Sequence, residues 1–430
     1  MHWHIGWKAL VGIVAAAAAV TVLLVLVVLN FMPQEKQLKR DIRNASPVAS
    51  AQFRSEISSI PGPAVLDGNR VRDLQNGDEI FPAMLGAIRS AERSINFETY
   101  IYWSGKVGQE FVEALSERAR AGVQVHVLVD WVGGMKMEEA SIERLRASGA
   151  EFEYFHPLHW YTIDRINNRT HRKLLIVDGR VAFTGGVGIA DAWQGDATRP
   201  DQWRDMHFQL EGPAVAQMQA VFEDNWITTT GHVLLGPDYY PVLQHVGPAS
   251  AQVFSSSPDG GSENMQLMNL IAIAAARSRI ELEAAYFVPG DRVRGALLDA
   301  LRRGVQLRII MPGPHVDSDI VRDASQAQWG EMLEAGAKLY QFQPSMFHCK
   351  MMIVDGYLTM VGSANFDPRS FRLNDEANLN VYDAEFATRM TGIFEQDIAR
   401  SREVTLEQWR QRPWLRKLQD EVSALTTSQI

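Results

Sequence analysis

The sequence predicts an α/β fold: a duplicated domain with two mixed sheets flanked by helices, arranged with pseudo-two-fold symmetry and preceded by one transmembrane helix. Three observations carry this expectation. Residues 9–29 are apolar and carry no charge. Beyond them, short apolar runs alternate with amphipathic stretches, the pattern of strands alternating with helices. Four sequence blocks then recur in the same order in the two halves of the chain.

The apolar segment ALVGIVAAAAAVTVLLVLVVL contains one polar side chain, Thr21. A helix of this length spans roughly 30 Å, the hydrocarbon thickness of a bilayer. A cleaved signal peptide is the competing reading. The run exceeds the usual apolar region of such peptides, and no small-x-small cleavage site follows Asn30-Phe31-Met32-Pro33. Trp3 and Trp7 precede the run and Phe31 follows it, as interfacial aromatics do. Lys36, Lys39, Arg40 and Arg43 follow the helix, whereas Lys8 and the α-amino group precede it. The excess of positive charge places the large C-terminal part on the cytoplasmic side of a bacterial cell membrane, held there by a single pass.

The 430 residues are enough for two ordinary domains, and 46% hydrophobic residues is a globular share. A net charge of −9 disfavours nucleic acid held by charge alone. The single cysteine, Cys349, excludes an intrachain disulfide framework and a Cys-based zinc site.

The repeat defines the rest. "RAGVQVHVLVD" ends at Asp130 and matches "RRGVQLRIIMP", ending at Pro312. "HRKLLIVDGRVAFTGG" begins at His171, and "HCKMMIVDGYLTMVGS" begins at His348. This spacing is that of a whole duplicated domain rather than a solenoid repeat. The expected organisation is an anchor over 1–32, a helical or flexible tether over 33–60, domains over 61–245 and 246–404, and an amphipathic tail over 405–430. In the first unit the pattern predicts strands over 94–101 and 123–129, a helix over 109–121, and strands at 174–177 and 181–183 flanking an Asp178-Gly179 turn. The second unit repeats the pair around Asp355-Gly356.

Each unit therefore carries His-x-Lys-x4-Asp: His171, Lys173, Asp178 and His348, Lys350, Asp355. Alternation along a strand puts His and Lys on one face and Asp at the far turn, better placed to pair with backbone than to touch substrate. Cys349, between His and Lys, points to the inner face. The residue types suit phosphoryl transfer. Histidine serves as nucleophile or general acid near neutrality, and lysine binds non-bridging phosphate oxygens. Two copies across a pseudo-two-fold axis supply one nucleophile, one acid and two ammonium groups to a single phosphate. Ser363 and Asn365, in "GSAN", are candidate phosphate-binding donors.

These motifs, with "FETYIYW", "FTGGVGIAD", "WRDMHFQLEGPAV" and "VGSANFDPRSFRLNDEANL", make the chain similar to the phospholipase D superfamily over about residues 60 to 410. Within it, the sequence resembles bacterial cardiolipin synthases and their relatives. The resemblance implies a two-domain α/β sandwich with one active site at the domain interface. It implies a covalent phosphohistidine and no metal or other cofactor. It also implies that His171 attacks, that His348 protonates the leaving alkoxide, and that Asp205 and Glu376 hydrogen-bond the catalytic histidines from behind. One departure is Gly188, where many relatives place Asn, so a symmetric phosphate cradle is in doubt.

Other features stay open. His156, His159, Trp160 and Tyr161 precede the first motif in a polar loop. His315-Val316-Asp317-Ser318-Asp319 reads as a substrate-facing loop rather than a metal site. Trp409, Trp414, Leu415, Leu418, Val422 and Leu425 recur at helical spacing among Arg410, Arg412, Arg416 and Lys417, which suits either an anionic lipid surface or packing on the second domain. The expected reaction is phosphatidyl transfer at a membrane between two phosphatidylglycerols, giving cardiolipin and glycerol. A hydrolytic phospholipase D, a nuclease of the superfamily, and an inactive scaffold that binds anionic lipid are the alternatives.

Overall fold

The computed structural model describes residues 6–30, 40–43, 45–158, 167–257 and 264–424. The first apolar run forms α1 (Trp7–Asn30). Its Trp7–Val27 span is long and apolar enough to cross a membrane, and none of it is buried against the rest of the chain.

In the first unit the strands are β1 (Leu66–Gln75), β2 (Ser94–Thr99), β3 (Gln124–Asp130), β4 (Glu151–Phe155), β5 (Leu174–Val177), β6 (Val181–Gly185), β7 (Trp203–Arg204) and β8 (Met206–Glu211). The second unit contributes β9 (Ala249–Ser256), β10 (Arg279–Ala284), β11 (Gln306–Pro312), β12 (Lys338–Phe342), β13 (Met346–Phe347), β14 (Lys350–Val354), β15 (Leu358–Gly362), β16 (Glu376–Tyr382) and β17 (Ser401–Val404). The parallel trio β2, β3 and β4 has its counterpart in β10, β11 and β12, and the central strand β3 is buried on both faces beyond its first residue, which explains its nearly continuous apolar run.

The two expected sheets are continuous. Fifteen strands run in the order β4-β3-β2-β5-β6-β8-β1-β9-β16-β15-β14-β10-β11-β12-β17, with the antiparallel pair β1 and β9 as the seam. Asn69, fully buried at the seam, donates to Leu66 O at 2.7 Å and accepts from Ala214 N at 2.8 Å. One sheet face packs on α6 (Val215–Thr230) and α11 (Ala384–Ala399) in a core shared by both units. The other face is covered by α3 (Asn76–Arg89), α4 (Lys106–Arg120) and α5 (Glu139–Ala147) in the first unit. In the second it is covered by α7 (Asn264–Ala275), α8 (Asp291–Arg302) and α9 (Asp319–Glu334). Part of the expected tether belongs to this body. Helix α2 (Ala51–Ser59) buries Phe53 and Ile57 in the second unit's core.

At the C-terminus, α12 (Leu406–Arg410) and α13 (Trp414–Ala424) pack on α9, the second of the two arrangements the sequence suits. Arg416 donates to Asp323 at 2.6 Å, Arg410 pairs with Glu334, and Trp409 Nε1 donates to Gln326 O at 2.8 Å. The acidic side chains of α9 thus pair with these arginines, while Trp414, Leu415, Leu418 and Val422 stay exposed.

The motif aspartates close the hairpins. Asp178 and Gly179 are left-handed (φ 53° and 61°), as are Asp355 and Gly356 (φ 51° and 64°), a conformation that Asp and Gly tolerate. Asp178 accepts backbone N–H groups of Glu92, Arg93 and Ser94 at 2.7–3.2 Å. Asp355 does the same for Arg277, Ser278 and Arg279 at 2.8–3.0 Å. Each ties its hairpin to the start of the strand beside it in the sheet, β2 or β10. Asp178→Ala leaves three backbone donors without this acceptor and is expected to cost about 2–3 kcal/mol in chemical denaturation, with kcat retained while the protein is folded. A catalytic role for Asp178 would instead abolish turnover at unchanged stability.

Candidate active site

His171 and Lys173 lead into β5, and His348 and Lys350 lead into β14, so the two motifs enter equivalent hairpins from the same side of the molecule. Alternation sends each His and Lys to one face and the intervening residue, Arg172 or Cys349, into the interior. Arg172 is anchored there by Val221 O at 2.7 Å, and Cys349 is a fully buried thiol. Both histidines, Lys173 and Asn365 line a single cavity of about 310 Å³, walled by Tyr100, Trp193 and Trp203. Lys350 is buried beside it, with Nζ 3.1 Å from His348 Nε2. Each lysine also donates to the carbonyl of its own histidine, Lys173 at 2.8 Å and Lys350 at 2.7 Å.

Each histidine takes its carboxylate from the other unit. His171 Nδ1 lies 3.0 Å from Glu376, and His348 Nδ1 lies 2.6 Å from Asp205. The backbone makes the same exchange: His171 N donates to Asp375 O at 2.8 Å, and His348 N donates to Arg204 O at 2.7 Å. The short parallel pair β7 and β13 carries the second crossing. A carboxylate on Nδ1 fixes the tautomer with the proton on Nδ1; this leaves the Nε2 lone pair of His171 for substrate, while Lys350 Nζ stands beside Nε2 of His348.

The residues after the two hairpins differ because the carboxylates differ. A Cβ at Gly186 would stand 2.1 Å from Asp205 Oδ1, so the shorter Asp reaches His348 across a bare backbone. Trp193 then donates its indole N–H to Asp205 at 2.9 Å. Ser363, at the position equivalent to Gly186, donates to the longer Glu376 and accepts Ala377 N. This corrects the expectation for Ser363: its hydroxyl is fully buried behind the carboxylate and supports Glu376 instead of lining the cavity. Asn365 does line the cavity. Its counterpart Gly188 is walled off, since a Cβ there would meet Ile101 at 2.9 Å and the Trp193 ring at 3.2 Å. The cradle is asymmetric because that indole fills the space an Asn would need.

Burial pushes the His171 imidazole down, and Lys173 adds to this against the opposing pull of Glu376, leaving it at about 4. Burial raises Glu376, but His171 and Lys173 outweigh it and hold the carboxyl at about 2. Around neutral pH the pair is thus a carboxylate and a neutral imidazole. Burial, assisted by Lys350, lowers Lys173 to about 7. His348 is lowered by burial and Lys350, against Asp205. An anion entering this cavity offsets the desolvation of every cation around it.

Asp178 and Asp355 are not brought to the cavity; they stay at their turns. His156 stacks on Phe155 at 3.9 Å rather than facing the histidine pair, and His159, Trp160 and Tyr161 lie outside the described residues. Tyr100, whose ring meets His171 edge-on at 5.3 Å, and Trp193 were not singled out as site residues by the sequence reading. Their signal was position: each leaves a strand or turn at the same sheet end as the motifs. Among the described residues, Glu283, Cys349 and Asp397 also converge in the core, where Arg204 already donates to Asp397 at 2.8 Å and supplies the charge a cation would bring.

Gly186→Ala tests the exchange. Its methyl must push Asp205 away from His348, so kcat is expected to fall about 10²-fold with the fold retained by circular dichroism. Unchanged kcat would mean that the Asp205 contact is dispensable.

The family described as "Cardiolipin synthase, PLD-like domain" matches residues 84–226 and 270–398, one segment in each unit. Cardiolipin synthase of Geobacillus kaustophilus is 36% identical over 355 residues, 82% of this chain and 70% of that protein. Cardiolipin synthase A of Pseudomonas fluorescens is 33% identical over 389 residues, 89% of this chain and 79% of that one. The crystal structure of phosphatidylserine synthase from Haemophilus influenzae shares the fold, with a TM-score of 0.63, 13% identity, and coverage of 84% of this chain and 95% of that one. The chain belongs to the cardiolipin synthase family of phospholipase-D-like proteins.

Proposed function

We propose that this protein transfers a phosphatidyl group between two phosphatidylglycerols at a membrane, releasing glycerol and forming cardiolipin through a phosphohistidine. The observation that carries the reading is the pair of histidines, each backed by a buried carboxylate, facing one cavity that also holds Lys173. The names of the relatives support the substrate assignment.

In the first half-reaction His171 Nε2 attacks phosphorus, and the P–O bond to the glycerol headgroup breaks. His348, as the imidazolium stabilised by Asp205, gives its Nε2 proton to the departing alkoxide. Lys173, Lys350 and Asn365 hold the non-bridging oxygens as their charge grows. In the second half-reaction the headgroup hydroxyl of another phosphatidylglycerol gives its proton to His348 Nε2. Its oxygen bonds to phosphorus, the P–N bond breaks, and His171 returns neutral. The low basicity of His171 suits the nucleophile, because an imidazole at about 4 is unprotonated at neutral pH. The aromatic wall of Tyr100, Trp193 and Trp203 suits a lipid acceptor over water. Asp178 and Asp355 contribute by fixing the hairpins that carry the motifs.

Two measurements test this reading. Purified protein given phosphatidylglycerol should yield cardiolipin and glycerol, and His171→Ala or His348→Ala should each lower the rate about 10³-fold or more. Phosphatidic acid as the main product would identify a hydrolase, and no turnover by the intact chain would sink the enzymatic reading. We further place the chain as a single-pass protein of the bacterial cell membrane with its catalytic units on the cytoplasmic side, from the basic residues after α1. In sealed inside-out vesicles an added protease should then degrade both units, and in right-side-out vesicles it should spare them; the reverse pattern overturns this orientation.

A further inference from the structure

One wall of the cavity carries the wrong charge for a site built only to hold phosphate. Asp317, in the loop after β11, is an exposed carboxylate that lines the cavity together with Lys173, both histidines, Arg169, Arg369 and the buried Asp367. It opposes the entry of an anion, so its presence calls for a ligand group that carboxylates bind well. Its geometry is fixed. Tyr286, immediately after β10, donates its phenolic O–H to Asp317 Oδ2, and among the described residues no hydrogen bond engages Oδ1.

The arrangement occurs on one side only. The bridges Tyr102 to Ile189 and Phe287 to Phe366 occupy equivalent places in the two units, so Tyr286 corresponds to Ile101, which has no hydroxyl to orient a carboxylate. The polar pair belongs to the second unit, where the Asp317 charge is felt by His348 and Lys350. Trp203 adds an aromatic face 5.2 Å from the His348 ring.

We propose that Asp317, oriented by Tyr286, is the subsite for the vicinal hydroxyls of the glycerol headgroup. The inference rests on the phosphatidyl-transfer reading and on His348 as the group that protonates the leaving alkoxide. The departing glycerol carries two further hydroxyls, and Asp317 Oδ1 accepts hydrogen bonds from them while the carbon edge lies on Trp203. The acceptor lipid presents the same glycerol to the same histidine, so one subsite serves departure and entry. Water and simple alcohols cannot make this contact. A pocket that hydrogen-bonds a hydroxyl discriminates strongly against a ligand lacking it.

The test gives full-length protein phosphatidylglycerol and phosphatidylmethanol in the same mixed micelles, the second lipid having a leaving group without free hydroxyls. The reading is the ratio of the two kcat/KM values. Asp317→Ala is expected to lower the preference for phosphatidylglycerol at least about tenfold, and Tyr286→Phe to lower it about threefold or more. An unchanged ratio in both variants, including a parallel fall on both lipids, overturns the proposal and assigns the pair to loop structure. Tyr286→Phe keeps the ring and covers the case in which Asp317→Ala misfolds. If intact protein makes no cardiolipin from phosphatidylglycerol, it is the transfer reading that fails. Normal cardiolipin synthesis with an unaltered ratio in the variants defeats only the Asp317 assignment.

Discussion

Everything at the site depends on the exchange of carboxylates between the two units. His171 is held by Glu376, and His348 by Asp205, each across the seam. Neither unit alone presents an imidazole with a defined tautomer. The duplication is therefore more than a doubling of ligands, because the partner repeat supplies the group that makes each histidine useful. The exchange also constrains the scaffold, since hydrogen-bond geometry tolerates only a few tenths of an ångström. The continuous fifteen-stranded sheet, the buried Asn69 at its seam and the core shared by α6 and α11 hold the two halves to that tolerance.

Within this symmetry the two halves solve the same packing problem differently. A glutamate reaches its histidine with a serine hydroxyl behind it; an aspartate, one methylene shorter, needs Gly186 to approach and an indole to hold it. Once Trp193 is in place, the room for an Asn at 188 is gone, and of these two equivalent positions the one at 365 carries an amide to the cavity. The substitution at Gly188 that unsettled the symmetric cradle in the sequence is thus a consequence of the choice of Asp205.

Much of this was legible beforehand. The strand and helix pattern, the repeat, the paired motifs and the turn role of Asp178 and Asp355 all rest on local periodicity and spacing, which a single sequence carries. Asp205 and Glu376 came from resemblance, and nothing local revealed that they cross between units, because partner choice depends on how two distant segments dock. Ser363 was misjudged for the same reason: a hydroxyl beside the motif faces either the cavity or the carboxylate, and only the docked backbone decides. The C-terminal residues Arg410 and Arg416 pair with α9 because Asp323 and Glu334 lie opposite them, a pairing invisible to helical spacing. The continuity of the sheet through β1 and β9 was hidden likewise, since neither strand belongs to the repeated blocks.

The charges of the site show why the histidines need not be alike. With both ammonium groups protonated, Lys173 and Lys350 balance Asp205 and Glu376, so this inner set of groups around the two histidines is neutral when both imidazoles are uncharged. A phosphodiester brings one negative charge into this buried space, where an uncompensated charge is costly. The least costly response is the uptake of one proton on an imidazole. In the proposed reaction that proton belongs on His348, whose carboxylate lies at 2.6 Å, while His171, already low in basicity, keeps its lone pair. Attack then transfers positive charge to the phosphorylated imidazole as His348 gives its proton to the alkoxide, so the total charge in the cavity does not change during bond exchange. On this proposal substrate binding itself charges the acid, and the carboxylate exchange between the units holds each histidine ready for its part.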